Sequence, residues 1–133
     1  MRHVHVAIIS IADACLGGLR ERSALLIGPE KLCSLYKTLL QEAGMKNIFQ
    51  ESDYARVPLL LPQVQLLMSM SGATLSAATI AQGCQGRHAP LLIFDLAEET
   101  SVEEMAGLLP AVCLYTPADL RHILYTNTNV QIA

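Results

Sequence analysis

The sequence predicts a single α/β domain whose β-sheet is doubly wound and mainly parallel. Its 133 residues suit one compact domain and leave little room for a second. Short, continuously apolar segments alternate with longer segments of helical periodicity, a pattern typical of parallel sheets that are covered on both faces. The composition, 52% hydrophobic and 16% charged, provides ample apolar surface for such a core and excludes a disordered chain.

The first half of the chain contains two predicted helices and two predicted strands. Apolar residues recur at helical spacing over residues 4–16, and Gly17-Gly18 ends that pattern. The apolar run 23–27 then predicts a buried strand. Residues 30–43 carry a stripe of leucines that predicts a second helix, and residues 47–50 predict a second strand.

The second half continues the alternation after one segment that resists assignment, 54–62, in which prolines bracket three leucines. Ser101 is predicted to cap a helix, because a serine side chain accepts hydrogen bonds from first-turn amides. The tail 126–133 is polar and shows no helical stripe. The remaining predicted elements are strands over residues 64–70, 91–94 and 112–115, and helices over residues 74–85, 101–108 and 117–124.

Charge and cysteine content argue against several classes of function. The 9 basic and 12 acidic residues give a net charge of −3, which is unlike a strongly basic nucleic-acid binder. The 4 cysteines are too widely spaced for a disulfide scaffold, and we expect them to be reduced in a cytoplasmic protein. No apolar run reaches the roughly 18–20 residues of a membrane helix. His3 and His5 would need a third ligand to bind a metal ion, so no metal site is predicted.

Two segments in the last third of the chain resemble a known family. Residues 91–97 form an apolar strand that ends in Asp-Leu-Ala, and residues 109–120 read LPAVCLYTPADL. This pattern is similar to the last two strands of the nucleotide-binding domain of glutamyl-tRNA reductase, where Asp-(Ile/Leu)-Ala precedes Leu-Pro-Gly-Val-x-Leu-Tyr and Asp-Leu. Residues 66–73 resemble that family's strand ending in Ser-Ser-Thr-Gly-Ala, and the whole resemblance spans residues 4–125. The positions that match the C-terminal motif are Asp95, Leu96, Ala97, Leu109, Pro110, Val112, Leu114, Tyr115, Asp119 and Leu120.

The resemblance implies a Rossmann-like domain that binds NADP or NAD and holds the nicotinamide for a reaction on another domain. That family reduces glutamyl-tRNA to glutamate-1-semialdehyde with NADPH, in tetrapyrrole (porphyrin) biosynthesis. Its catalytic cysteine lies on a separate N-terminal domain, and its dimer forms through a C-terminal helix. We therefore expect this chain not to be catalytic alone. Its expected partners are those parts of a parent protein or a second copy, without direct contact to nucleic acid or membrane. The implied division is an opening helix over residues 1–22, a nucleotide-binding domain over residues 23–125 and a tail over residues 126–133.

The implied cofactor site lies at the carboxyl ends of the strands. A dinucleotide turn needs glycine at three positions, for the tight turn, for the approach of the pyrophosphate and for the packing of helix on strand. Gly28 holds the first position, but Glu30 and Cys33 stand at the second and third. A cysteine at the start of a helix is either packed or reactive. The candidate cofactor-binding residues are Gly28, Pro29, Glu30, Lys31, Asp53, Ser69, Ser71, Gly72 and Ala73.

These departures from the family pattern leave a second interpretation open. Asp53 stands where the family carries an arginine for the 2′-phosphate of NADP; an acid there suits the ribose of NAD, or is a solvated turn residue. About a dozen residues replace the family's next helix and strand, which predicts a shortened edge after the second strand. The alternative function is a degenerate Rossmann domain without dinucleotide binding, acting as a scaffold or interaction module. The low charge further predicts apolar surface that is exposed, or buried between copies, at Val4, Ile8, Ile11 or residues 59–61.

Overall fold

The computed structural model describes residues 2–70 and 73–132, with the side chains of residues 2, 3 and 126–132 excepted. Its strands are β1 (Ser23–Ile27), β2 (Asn47–Gln50), β3 (Leu66–Ser69), β4 (Leu91–Asp95) and β5 (Val112–Tyr115). Its α-helices are α1 (Arg2–Leu16), α2 (Glu30–Glu42), α3 (Val57–Leu60), α4 (Ala77–Gly83) and α5 (Pro117–Ile132), and short 3-10 helices cover Tyr54–Arg56, Leu61–Gln63 and Glu104–Leu108. The strands form one parallel sheet in the order β2-β1-β3-β4-β5. The predicted Rossmann-like α/β fold is therefore confirmed.

Both faces of the sheet are covered, which explains why its central strands are apolar except for one polar residue at an end of each. Successive side chains of a strand point to opposite faces. In β1, Ala24 and Leu26 pack in a core with α1, α2 and α5, whereas Leu25 and Ile27 pack in a second core with α3 and α4. All four side chains are buried.

The edge of the sheet beyond β2 is shortened, as predicted. Among the described residues β2 is the last strand on this side, and three short helical turns carry the chain across to β3. The crossover packs tightly on α4: a Cβ added to Gly83 would lie 2.5 Å from Cδ1 of Leu61. The guanidinium of Arg87 donates hydrogen bonds to the carbonyl oxygens of Leu61 and Val64. These contacts fix the crossover without the longer helix that usually joins parallel strands.

The opening helix is covered by its own sheet, which corrects one expectation. Ile8 is 5% exposed, and Val4 and Ile11 pack partly buried against the same core. In residues 59–61 only Leu59 is largely exposed, at 70%, because Leu61 is buried against Gly83. The low charge of the chain therefore reflects two internal cores more than a bare opening helix.

Two predicted elements differ in the structure. Ser101 does not cap a helix; its amide and hydroxyl both donate to the buried carboxylate of Asp95, and a 3-10 helix begins later, at Glu104. Helix α5 continues to Ile132, past its predicted end at residue 124. Neither glycine nor proline follows Pro117 to stop it, and the polar composition of residues 126–132 hid the helix from a search for an apolar stripe. The division at residues 22 and 125 stays a prediction.

Candidate functional site

The loops that follow the strands meet at the carboxyl edge of the sheet, where doubly wound domains bind their ligands. Two of the cavities along this edge lie beside the predicted site residues. A cavity of about 330 Å³ lies beside the loops after β1 and β2, and a cavity of about 420 Å³ lies beside the loops after β3 and β4. The first is lined by Gly28, Glu30, Cys33, Gln50, Glu51 and Ser52, and the second by Met70, Thr74, Ala97, Glu98, Glu99 and Thr100.

Gly28 is required by the fold itself. Its φ of +147° lies in a region that L side chains rarely adopt, and a Cβ at this position would lie 2.8 Å from the Cβ of Met70. The end of β1 and the residue after β3 can therefore approach only if residue 28 has no side chain. The first glycine of the expected cofactor turn thus has a structural reason to be present without any ligand.

The other residues of this turn are divided between surface and core. Pro29 precedes α2 without a capping side-chain hydrogen bond, and Glu30 and Lys31 are exposed in the first turn of the helix. Cys33 is 3% exposed, and its Sγ lies 3.6 Å from the carbonyl oxygen of Gly28. Burial raises the pKa of the Cys33 thiol, so the thiol stays protonated and unreactive. The packed interpretation of Cys33 is the one that fits.

The two acidic residues after β2 have different roles in the structure. The exposed Asp53 accepts a hydrogen bond from the Ala55 amide at 3.0 Å and caps the 3-10 helix, so it acts as a turn residue. Glu51, which the sequence analysis overlooked, lines the cavity beside Gly28. One of its oxygens accepts from the amides of Ser52 and Asp53, and the other lies 3.1 Å from the Arg56 guanidinium. Its position directly after a strand, about 20 residues beyond the first glycine, is the signal that could have identified it.

The candidate residues at the end of β3 and on the loop after it differ in how far they are buried. Ser69 is fully buried, and its hydroxyl lies 2.9 Å from that of Ser101. Because the Ser101 hydroxyl donates to Asp95 at 2.7 Å, Ser69 is the donor in this pair. Ala73 is exposed beside the second cavity, and Ser71 and Gly72 lie outside the described residues. The described part of the loop therefore contributes a buried network and one exposed alanine.

Asp95 is the centre of that network. Its carboxylate is fully buried and accepts from the Ser101 amide at 2.7 Å, the Ser101 hydroxyl at 2.7 Å, the Val102 amide at 2.9 Å and the Ala97 amide at 3.3 Å. Val102 is in turn bridged to Leu75. The loops after β3 and β4 are thus joined through one carboxylate, whose oxygens are engaged by the protein and not directed at a ligand.

The residues around the first turn do not fit a dinucleotide pyrophosphate. Attraction between a helix N-terminus and an anion contributes about 0.3–1 kcal/mol. Repulsion between two like charges about 4 Å apart is about 1 kcal/mol in water and grows as water is excluded. Glu30 and Glu51 both line the cavity beside Gly28. The neighbouring basic residues are Lys31 and Arg56, and Arg56 pairs with Glu51 at 3.1 Å. Repulsion from Glu30 alone is therefore comparable with the attraction that the helix offers to phosphate.

No metal centre is found in the part of the chain that the structure describes, where no group of three or more histidine, cysteine, aspartate or glutamate side chains is suitably placed. His5 packs edge-on against Tyr36, with its Nδ1 2.7 Å from the tyrosine hydroxyl. Burial lowers the pKa of His5 and raises that of Tyr36, so the tyrosine keeps its proton and donates a hydrogen bond to the neutral imidazole. Within the described residues, no helix combines the length and apolarity needed to cross a membrane.

Known proteins similar to this chain are glutamyl-tRNA reductases, although no protein-family model matches it. The enzymes of Alkalilimnicola ehrlichii and Sulfurihydrogenibium sp. are 27% and 22% identical to it, each over 93% of this chain. Each match covers 33% of the relative, so the chain spans about a third of the length of these curated proteins. The solved structure of glutamyl-tRNA reductase from Methanopyrus kandleri superposes with a TM-score of 0.78 at 19% identity, over 93% of this chain and 37% of that one. In sequence and in fold, the chain resembles the Rossmann-like nucleotide-binding domain of glutamyl-tRNA reductase.

Proposed function

We propose that this chain is a glutamyl-tRNA reductase-like Rossmann domain that acts as a scaffold or interaction module and does not itself hold a dinucleotide. The observation that carries the proposal is the position of Glu30, which lines the cavity beside Gly28 where the family pattern requires its second glycine. A pyrophosphate needs that glycine for close approach to the backbone. A glutamate there adds both a side chain and a negative charge.

Other features of the turn support the same function. Gly28 is explained by its packing on Met70, and Cys33 is a buried residue of the core. Glu51 adds a second carboxylate to the cavity. The features that a cofactor would need are thus replaced, whereas the features that the fold needs are kept.

An interaction module also needs a surface for its partner. Leu59 on α3 and Met105 and Leu108 on the 3-10 helix Glu104–Leu108 are 70%, 65% and 79% exposed. Both elements pack beside α4 on the same face of the sheet. We expect this face to contact other parts of a longer parent protein or a second copy.

A second function is favoured by the similarity over 93% of the chain. In it, the chain is the cofactor domain of a protein that reduces glutamyl-tRNA to glutamate-1-semialdehyde with NADPH in tetrapyrrole biosynthesis, and is not catalytic alone. Gly28 and the loop that includes Ser71 and Gly72 would then border the cofactor. The acidic lining described above speaks against this function.

Titration of the purified chain with NADPH, NADP and NAD separates the two functions. Binding is monitored by calorimetry and by chemical-shift changes in NMR spectra. We expect no saturation at millimolar nucleotide. A micromolar Kd for any of the three would overturn the scaffold proposal and support the cofactor function.

Glu30→Gln tests the cause of the weak binding. Removal of about 1 kcal/mol of repulsion should lower the Kd of NADPH about fivefold. Glu104→Gln is the matched control, because Glu104 is an exposed acid on the opposite face of the sheet. Equal affinities of the two variants would contradict the role of Glu30.

A further inference from the structure

Two exposed cysteines and a tyrosine meet where the end of α1 lies over the edge strand β5. The Sγ of Cys15 is 3.6 Å from the hydroxyl oxygen of Tyr115. Cys113 precedes Tyr115 by two residues on β5, so both side chains leave the strand on the same face. Cys15 and Cys113 are both free and exposed, whereas Cys33 is buried.

Cys15, Cys113 and Tyr115 interact electrostatically as one group. Burial and the nearby Cys15 raise the pKa of Cys113, and the hydrogen bond from Tyr115 offsets only part of that rise. The hydrogen bond to Cys15 is the main cause that raises the pKa of Tyr115 to about 12. Tyr115 therefore keeps its proton near neutral pH, and its hydroxyl can donate to either sulfur. The Tyr115 hydroxyl is therefore a hydrogen-bond donor within reach of the Cys15 sulfur, on the face of β5 that also carries Cys113.

We propose that Cys15 and Cys113 are a redox-sensitive thiol pair that closes into a disulfide between α1 and β5. The proposal is independent of nucleotide binding, because the pair lies on α1 and β5, away from the cavities beside Gly28 and Met70. Nucleophilic attack requires a thiolate, which a hydrogen bond from the Tyr115 hydroxyl can stabilise on Cys15, and access to the oxidant, which the exposure of both cysteines provides.

The oxidant that fits this chemistry is a small-molecule disulfide such as oxidised glutathione. The Cys15 thiolate attacks one of its sulfur atoms, forms a mixed disulfide and expels a small thiolate. The Cys113 thiolate then attacks Sγ of Cys15, the mixed disulfide bond breaks, and a second small thiolate leaves. The two protons from the protein thiols end on the two released thiols. The protein is oxidised by two electrons, and one small disulfide is reduced to two thiols.

Closure requires a change of backbone conformation near Cys15, and two glycines follow it. A disulfide needs Cα atoms about 4.4–6.8 Å apart. Cys15 lies in the last turn of α1, and the helix is followed by Gly17 and Gly18 with φ of +68° and +111°. A side chain at either glycine would meet open space, so packing does not fix the backbone conformation of these two residues.

The test is oxidation of the full chain in glutathione redox buffers, followed by alkylation of the remaining thiols, intact mass measurement and tryptic mapping. We expect a monomer lighter by two hydrogen atoms before alkylation, with two of its four thiols protected. We also expect one linked peptide that joins residues 3–20 to residues 88–121. Cys15→Ser and Cys113→Ser should abolish this product, and each variant should instead carry one glutathione.

Cys33→Ser and Cys84→Ser are the matched controls and should retain the linked peptide. Wild-type protein that carries glutathione on both Cys15 and Cys113 without the link would overturn the proposal. A link through Cys33 or Cys84, or one formed only between two chains, would overturn it as well. If Cys33→Ser does not fold, the peptide map of the wild type still identifies the pair.

Discussion

The turns after β1 and after β4 lie at the same edge of the sheet, but they keep different parts of the family pattern. The β4 turn retains Asp95-Leu96-Ala97, and there the aspartate is buried and holds the loop through four hydrogen bonds. The β1 turn loses two of the three glycines, and its Glu30 and Lys31 are exposed. The family motif is therefore retained where it stabilises the protein's own loops and lost where it would bind a ligand. Resemblance in such motifs is therefore evidence for the fold before it is evidence for the cofactor.

Removal of the buried carboxylate in the β4 turn should have the largest effect. Asp95→Ala leaves the amides of Ser101 and Val102 and the Ser101 hydroxyl buried without an acceptor, and each such donor costs about 1–3 kcal/mol. We expect the free energy of unfolding to fall by about 3–5 kcal/mol in urea titrations. Asp53→Ala is the control, because Asp53 is an exposed capping residue whose loss should cost about 0.5–1 kcal/mol. Similar losses for both variants would contradict the structural role of Asp95 in the β4 turn.

Substitution of Gly28, the first glycine of the β1 turn, should have the second-largest effect on stability. Gly28→Ala places a Cβ 2.8 Å from the Cβ of Met70 at a φ of +147°. Backbone strain and overpacking each cost about 1–3 kcal/mol, so we expect a loss of about 2–4 kcal/mol. Gly86→Ala is a matched control with positive φ (+72°) but open space, and should lose only about 1 kcal/mol. If Gly28→Ala were as mild as Gly86→Ala, the retention of Gly28 would need a ligand to explain it.

The same contrast explains how far the sequence could predict this molecule. Residues 24–27 of β1 and 91–94 of β4 are all apolar because both faces of the sheet are covered, so pattern alone locates these strands. The roles of Glu51, Asp53 and Ser101 depend on which amides each side chain meets after the loops have folded. Two acids two residues apart look equivalent in sequence, yet one lines a cavity and the other caps a turn. The length of α5 is not evident from the sequence because Val130 and Ile132 are the only apolar residues in its last two turns, too few to form a helical stripe.

The smallest expected effect on stability comes from substitution of Glu30, whose negative charge lies at the N-terminus of α2. Its carboxylate lies in the first turn of α2, where a negative charge stabilises the helix by about 0.3–1 kcal/mol through the helix dipole. A phosphate at the same helix N-terminus would lie beside this carboxylate, so the protein carries its own negative charge where the family pattern would place that of a ligand. Glu30→Gln should lower the free energy of unfolding by that amount at low ionic strength. The loss should vanish near 1 M salt, where the Debye length is about 3 Å. Glu21→Gln, an exposed acid outside any helix, should show no such loss. If Glu30→Gln were instead neutral or stabilising at low salt, Glu30 would not interact with the helix N-terminus, and the first turn of α2 would remain open to an external anion.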